Sequence, residues 1–169
     1  MKLPFNPSNR KTQAIVAAFV LGLLAVLAFC SQKAEAGEIR AEAGSAIVRG
    51  YTPTLGLSAY YTDAGPADTD VEAGVLLVGE STFKDQRQSN TATVYGMLWA
   101  NAGPKFQLGL GVAYTQGDQT YTCKGTFALG VRYQPTRRVA LTGRHFSSAD
   151  TCKPNTGRDT LGVGFTVAF

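Results

Sequence analysis

The sequence has few of the residues that metal sites and nucleic-acid surfaces need. It contains one histidine and three cysteines, whose spacing does not match the common zinc ligand sets, so no metal or other cofactor is expected. The lysines and arginines are scattered rather than clustered with aromatics, so a formal net charge of +4 does not indicate a nucleic-acid partner. No helical periodicity appears after Gly37, which argues against a helical domain.

The N-terminal segment has the features of an export signal. A basic region at residues 2–11 precedes an uncharged apolar run at 14–30, and an Ala-Glu-Ala segment follows at 34–36. A signal peptidase recognises small residues at the two positions that Ala34 and Ala36 occupy. We therefore predict a signal peptide over 1–36 and a mature domain over 37–169. A retained transmembrane anchor is the alternative, because the apolar run is nearly long enough to span a bilayer.

Period-two alternation of apolar with small or polar residues predicts β-strands along the mature chain. Short turns such as 101–104 and 134–137 alternate with longer, more polar loops, which is typical of outer-membrane barrels. In the fourth segment both faces are apolar, so its facing is uncertain. The eight predicted strands span approximately 38–49, 54–62, 71–80, 91–100, 105–115, 125–134, 138–148 and 159–169.

These features predict an all-β protein, an eight-stranded antiparallel transmembrane β-barrel in the Gram-negative outer membrane. The apolar face is expected to turn toward lipid. Small residues and a few paired charges, such as Glu42, Arg132 and Arg144, are expected to fill the interior. A soluble β-sandwich or lipocalin-like barrel is the alternative.

Removal of the signal peptide takes Cys30 with it and leaves two cysteines in an exported protein. Cys123 and Cys152 follow the fifth and seventh predicted strands, so their loops emerge on the same outer side of the barrel. An even pair in an oxidising compartment most simply forms one disulfide. Two unrelated loop thiols are the alternative.

His145, Ser147 and Asp159 can supply a base, a nucleophile and an orienting acid. His145 and Ser147 share one face of the seventh strand, about 6–7 Å apart along it. The final hairpin can bring Asp159 beside His145, facing the same way. Such a set carries out acyl transfer. Considered alone, each of these residues is also common at the level of the lipid headgroups in outer-membrane barrels.

The same stretch resembles the end of the PagL family of lipid A 3-O-deacylases, which are eight-stranded outer-membrane serine hydrolases. The family has a His-x-Ser-Asn-Ala segment, a Pro-Asn-x-Gly loop and a glutamate that opens the last strand. Here the matching positions, at the same spacing, are His145, Ser147, Ser148 and Ala149, then Pro154, Asn155 and Gly157, then Asp159.

The resemblance implies that Ser147 is the nucleophile, His145 the general base and Asp159 the acid that orients it. It also implies an oxyanion hole around Ser148 and Ala149, a loop supported by Pro154, Asn155 and Gly157, and a site that faces the lipid. Two positions depart from the family pattern, because Asp159 replaces the glutamate and Ser148 replaces the asparagine.

The sequence thus predicts an outer-membrane serine esterase that removes an ester-linked acyl chain, at the 3 position, from lipid A of lipopolysaccharide. Lipid A and outer-membrane lipid are the expected partners, and a homodimer is left open. One alternative is a non-catalytic small barrel of the adhesion or surface-exclusion type. Another is a degenerate deacylase in which Asp159 and Ser148 weaken the site.

Overall fold

The protein folds into a closed antiparallel barrel of eight strands. The structure, a computed structural model, describes residues 37–47, 51–63, 65–83, 86–117, 123–148 and 157–168. The barrel strands are β1 (Gly37–Ile47), β2 (Tyr51–Tyr61), β3 (Asp70–Val78), β6 (Thr91–Gly103), β7 (Phe106–Gly117), β8 (Gly125–Thr136), β9 (Val139–Ser147) and β10 (Arg158–Ala168). A short hairpin of β4 (Ser81–Phe83) and β5 (Gln86–Gln88) lies between β3 and β6, and a 3₁₀ turn at Pro66–Asp68 precedes β3.

Consecutive barrel strands pair with each other, and β1 pairs with β10 to close the sheet. Closure satisfies the backbone of every strand and leaves no open edge in the hydrocarbon. The eight predicted spans correspond in order to the eight strands, so the predicted all-β barrel is confirmed. Among the described residues, no helix is long and apolar enough to cross a membrane. The predicted signal peptide over 1–36 lies outside the described residues and stays a prediction.

The outer wall of the barrel is apolar. On β7, Leu108, Leu110 and Val112 are all more than half exposed, and on β10 the same holds for Leu161 and Phe165. A soluble barrel would bury such a face, whereas a membrane barrel turns it to lipid. The soluble alternative is therefore wrong, and the outward orientation that alternation predicts is the one observed.

The interior contains a buried network of charges. Glu72 forms an ion pair with Arg132 and accepts a hydrogen bond from the Trp99 indole Nε1 at 2.7 Å. Arg144 donates from Nη2 to Glu72 at 3.1 Å and from Nη1 to both carboxylate oxygens of Glu42, at 2.8 and 2.9 Å. Buried charges need such pairing to offset their lost hydration. The predicted paired charges of the interior are thus confirmed.

The prediction that small residues supply the remaining filling is incomplete, because β6 contributes large side chains. Tyr95, Met97 and Trp99 are buried, whereas Val94 on the opposite face is half exposed. This settles the facing of the fourth predicted strand.

Glycines on β7 and β8 make room for the indole of Trp99. A Cβ built on Gly109 or Gly130 would lie 2.7 or 2.5 Å from the ring. The two glycines also pair with each other across β7 and β8. Glycine inside these strands therefore marks close approach of a ring to the backbone.

Candidate active site

The register of β9 and β10 places His145 directly opposite Asp159. The imidazole Nδ1 lies 2.7 Å from the carboxylate Oδ1. Both side chains are on the outer wall, 46% and 61% exposed, whereas the adjacent Arg144 and Thr160 are buried in the interior. Alternation along two paired strands therefore brings a histidine and an acid together on the lipid-facing side, as the parity of the sequence predicts.

Contact through Nδ1 determines what the rest of the ring can do. A carboxylate accepts the Nδ1–H of a neutral imidazole, and this selects the tautomer whose lone pair is on Nε2. Nε2 is then the atom that can take a proton from a nucleophile. The arrangement of His145 and Asp159 thus matches the base and orienting acid of a hydrolytic triad.

Ser147 is the last residue of β9, two positions after His145 on the same face. It is half-buried and lies opposite Phe127 of β8. Two residues of strand span about 6–7 Å, a separation that side chains on one face can bridge. The hydrogen bond between Ser147 and His145 stays a prediction, supported by this shared face.

Gly157 packs against the ring of His145. Its φ of +70° is a left-handed conformation that side-chain-bearing residues rarely adopt. A Cβ built there would lie 3.0 Å from Cε1 and 3.6 Å from Nε2 of His145. Of the three predicted loop-support residues, Gly157 is therefore the one seen to touch the site. Pro154 and Asn155 lie outside the described residues.

The predicted oxyanion hole is only partly within the described chain. Ser148 is buried directly after β9, whereas His145 and Asp159 are exposed. Ala149 lies outside the described residues. The roles of both residues stay predictions.

Two apolar residues flank the pair and were missed by sequence reasoning. Across the sheet, Leu129 of β8 lies opposite His145, and Ile47 of β1 lies opposite Asp159. Both side chains are exposed on the outer wall. Alternation predicts that they face outward, but their places beside the pair follow from the register, and for Ile47 from barrel closure.

The interior network supports the strand that carries His145. Arg144, its neighbour in sequence, is buried and binds Glu42 of β1 and Glu72 of β3. The Thr160 hydroxyl also lies 3.5 Å from the carbonyl oxygen of Arg144. Ion pairs and hydrogen bonds in the barrel interior therefore hold the strands that carry His145 and Asp159.

Cys123 is buried and is not without a partner. Its predicted partner, Cys152, lies outside the described residues, so the pairing stays a prediction. Within the described ranges, no three His, Cys, Asp or Glu side chains come together as a metal-binding group.

Solved structures with the same architecture have low sequence identity to the chain. A structure titled "Crystal structure of the outer membrane enzyme PagL" matches with a TM-score of 0.55 and 17% identity, over 77% of this chain and 98% of that one. The outer-membrane protein Ail of Yersinia pestis matches with a TM-score of 0.50 and 15% identity, over 78% and 99%. A designed transmembrane β-barrel matches with 0.50 and 14%, over 80% and 98%. At these identities the likenesses show the fold alone.

The family comparison is more specific. No curated protein is a significant match to the chain. The family model described as "Lipid A 3-O-deacylase (PagL)" matches residues 31–168, which include all eight barrel strands and both members of the His145–Asp159 pair. The chain, an outer-membrane β-barrel, belongs to the PagL family of lipid A 3-O-deacylases.

Proposed function

We propose that the protein is a serine esterase of the outer membrane that removes the acyl chain ester-linked at the 3 position of lipid A. The observation that carries the proposal is the 2.7 Å contact between His145 and Asp159 on the lipid-facing wall of a chain in this family. Ionisable side chains on that wall are costly unless they are paired or functional. Here they are paired in the geometry that a hydrolase needs.

The reaction follows from the roles of the three side chains. The Ser147 Oγ attacks the ester carbonyl carbon while Nε2 of His145 takes its proton, and Asp159 stabilises the imidazolium that forms. The tetrahedral intermediate collapses to an acyl-serine, and the sugar oxygen leaves with the proton from Nε2. Water then attacks the acyl-serine, gives its proton to His145, and releases the fatty acid and free Ser147.

The apolar surroundings suit a substrate that arrives from the bilayer. Leu129 and Ile47 border the pair on either side, and Leu161 lies on the same wall two residues beyond Asp159. Acyl chains can contact these side chains without leaving the membrane. A deep pocket is therefore not required to bind a lipid ester.

Asp159 is shorter than the glutamate of the family pattern, but it still contacts His145. Because His145 and Asp159 are directly opposed in the register, an aspartate already reaches Nδ1 at hydrogen-bonding distance. This geometry favours a working site over the degenerate deacylase.

The test is the mass of lipid A extracted from bacteria that express each variant. Wild type should produce lipid A lacking one acyl chain, and fragmentation should locate the loss at the 3 position. Ser147→Ala and His145→Ala should leave lipid A intact, because loss of either triad member lowers the turnover rate by about 10⁶-fold. Asp63→Asn is the control, since Asp63 lies in the turn after β2, far from the site, at a φ of 53° that asparagine tolerates.

Folding of every variant is checked by the shift in gel mobility between boiled and unboiled barrel. If folded wild type and all variants give the same lipid A profile, the enzyme proposal is wrong and a non-catalytic barrel remains. Loss of an acyl chain from another position of lipid A would reject only the proposal that the enzyme cleaves at the 3 position.

A further inference from the structure

Three exposed cations form one patch at an end of the barrel. Lys105 lies in the turn between β6 and β7, and Arg137 and Arg138 form the turn between β8 and β9. Backbone hydrogen bonds fix these turns, from Gln134 to the Lys105 carbonyl at 2.8 Å and from Thr166 to the Arg138 carbonyl at 2.9 Å. We call Lys105, Arg137 and Arg138 the basic rim.

The basic rim lies at the level of lipid headgroups. Phe106 follows Lys105 directly, is half exposed on the outer wall, and packs on Tyr133 with ring centroids 4.8 Å apart. Aromatic girdles of this kind mark the boundary between hydrocarbon and headgroups in membrane barrels. Cations placed just beyond the girdle therefore sit among headgroups rather than acyl chains.

The end of the barrel that carries the rim faces the periplasm. The described chain begins and ends there, because Glu38 pairs with Ala168 across β1 and β10. In outer-membrane barrels the short turns lie on the periplasmic side and the long loops outside. The basic rim therefore lies at the periplasmic leaflet, whereas the His145–Asp159 pair lies near the other end of the barrel.

Among the side chains that the structure describes, no acid forms an ion pair with the basic rim. At the same end, Glu38 lies 3.6 Å from Arg40, and Asp70 is buried and accepts hydrogen bonds from Tyr60 and Gln107. Asp63 is exposed in the turn after β2 and its backbone N–H donates to Asp70 at 3.1 Å, but its carboxylate forms no ion pair with Lys105, Arg137 or Arg138. Positive charge is thus concentrated on one side of this end of the barrel, in the turns next to β7 and β8.

We propose that the basic rim binds the headgroups of anionic phospholipids, with phosphatidylglycerol as the representative, in the periplasmic leaflet. Three exposed cations at headgroup depth attract a net negative headgroup, whereas a zwitterionic headgroup offers no net charge to attract. Basic residues at an anionic surface each strengthen binding by about fivefold. The proposal does not depend on the deacylase activity.

The test uses native mass spectrometry of the folded full chain in detergent with equal amounts of phosphatidylglycerol and phosphatidylcholine. Wild type should retain phosphatidylglycerol in clear excess. Lys105→Gln, Arg137→Gln and Arg138→Gln should each lower the preference by about fivefold, and the triple variant should abolish it. The charge-keeping triple Lys105→Arg, Arg137→Lys and Arg138→Lys should bind like wild type.

Lys124→Gln is the matched control, because Lys124 is exposed at the opposite end of β8. It should leave the preference unchanged. The proposal is overturned if wild type shows no preference, if a folded triple Gln variant keeps it, or if Lys124→Gln removes it equally. It is also overturned if soluble glycerol phosphate competes as well as the lipid, which would indicate a site for free phosphate. Should the triple variant not fold, the three single variants decide.

Discussion

Gly157→Ala is expected to impair catalysis while leaving the barrel folded. The added Cβ would lie 3.0 Å from Cε1 of His145, and ordinary contacts of this kind begin at 3.4 Å. The ring must therefore move by about 0.4 Å, the difference between these two distances. Asp159 holds the ring at Nδ1, so the displacement falls on the edge that includes Nε2.

The size of the effect follows from how steeply rates depend on geometry. A misplacement of about 1 Å costs roughly 10²-fold in rate, so 0.4 Å corresponds to a loss of about sixfold in kcat. Alanine at this φ adds local strain of about 1–2 kcal/mol. That strain lies beyond the outer end of β10, so the temperature at which the barrel loses its compact gel mobility should change little.

The assay is release of fatty acid from purified lipid A in mixed micelles, with kcat and KM measured separately. Gly103→Ala is the control, because nothing lies within 4 Å of a Cβ built at Gly103. The control should keep wild-type kcat. An unchanged kcat in Gly157→Ala, or an equal loss in Gly103→Ala, would refute the argument that Gly157 positions His145.

Asp159→Glu should hold or lower kcat in the micelle assay, because aspartate already reaches the ring at 2.7 Å; a rise would support a degenerate site. Gly130→Ala should lower the free energy of unfolding by about 1–3 kcal/mol, since its Cβ would meet Trp99 at 2.5 Å; urea titration followed by Trp99 fluorescence measures this, with an unchanged midpoint as the contrary result. Reduction of unfolded protein should add two hydrogen masses if Cys123 and Cys152 are paired, and no mass change would exclude the disulfide.

Strand positions and facing could be predicted from sequence because both are local. In β7 and β10, large apolar residues alternate with glycine, threonine or alanine, so one face reads clearly as the lipid-facing one. The same parity predicts that His145 and Asp159 lie on the outer wall, where both are observed. Pairing of adjacent strands through the final hairpin then brings the two side chains together.

The filling of the barrel could not be predicted in the same way. In β6 both faces carry apolar residues, so alternation does not say which side Trp99 takes. Its inward position depends on the space that Gly109 and Gly130 leave on two other strands. That complementarity involves three strands at once, and a pattern read along one strand does not contain it.

The surroundings of the site were also beyond sequence reasoning. Ile47 lies beside Asp159 because β1 pairs with β10, the strands most distant in the chain. Gly157 was expected to support the loop, but its contact with the imidazole edge depends on a left-handed backbone conformation. Such details follow from closure and backbone geometry rather than from residue spacing.

The most direct test of the central claim is covalent trapping of the nucleophile. Folded wild-type barrel is treated with a lipid-like fluorophosphonate, and the labelled peptide is sequenced by mass spectrometry. The proposed mechanism predicts one adduct, on Ser147, that disappears in His145→Ala and in heat-unfolded protein. Labelling of another residue, or labelling of Ser147 at the same rate without His145, would contradict it.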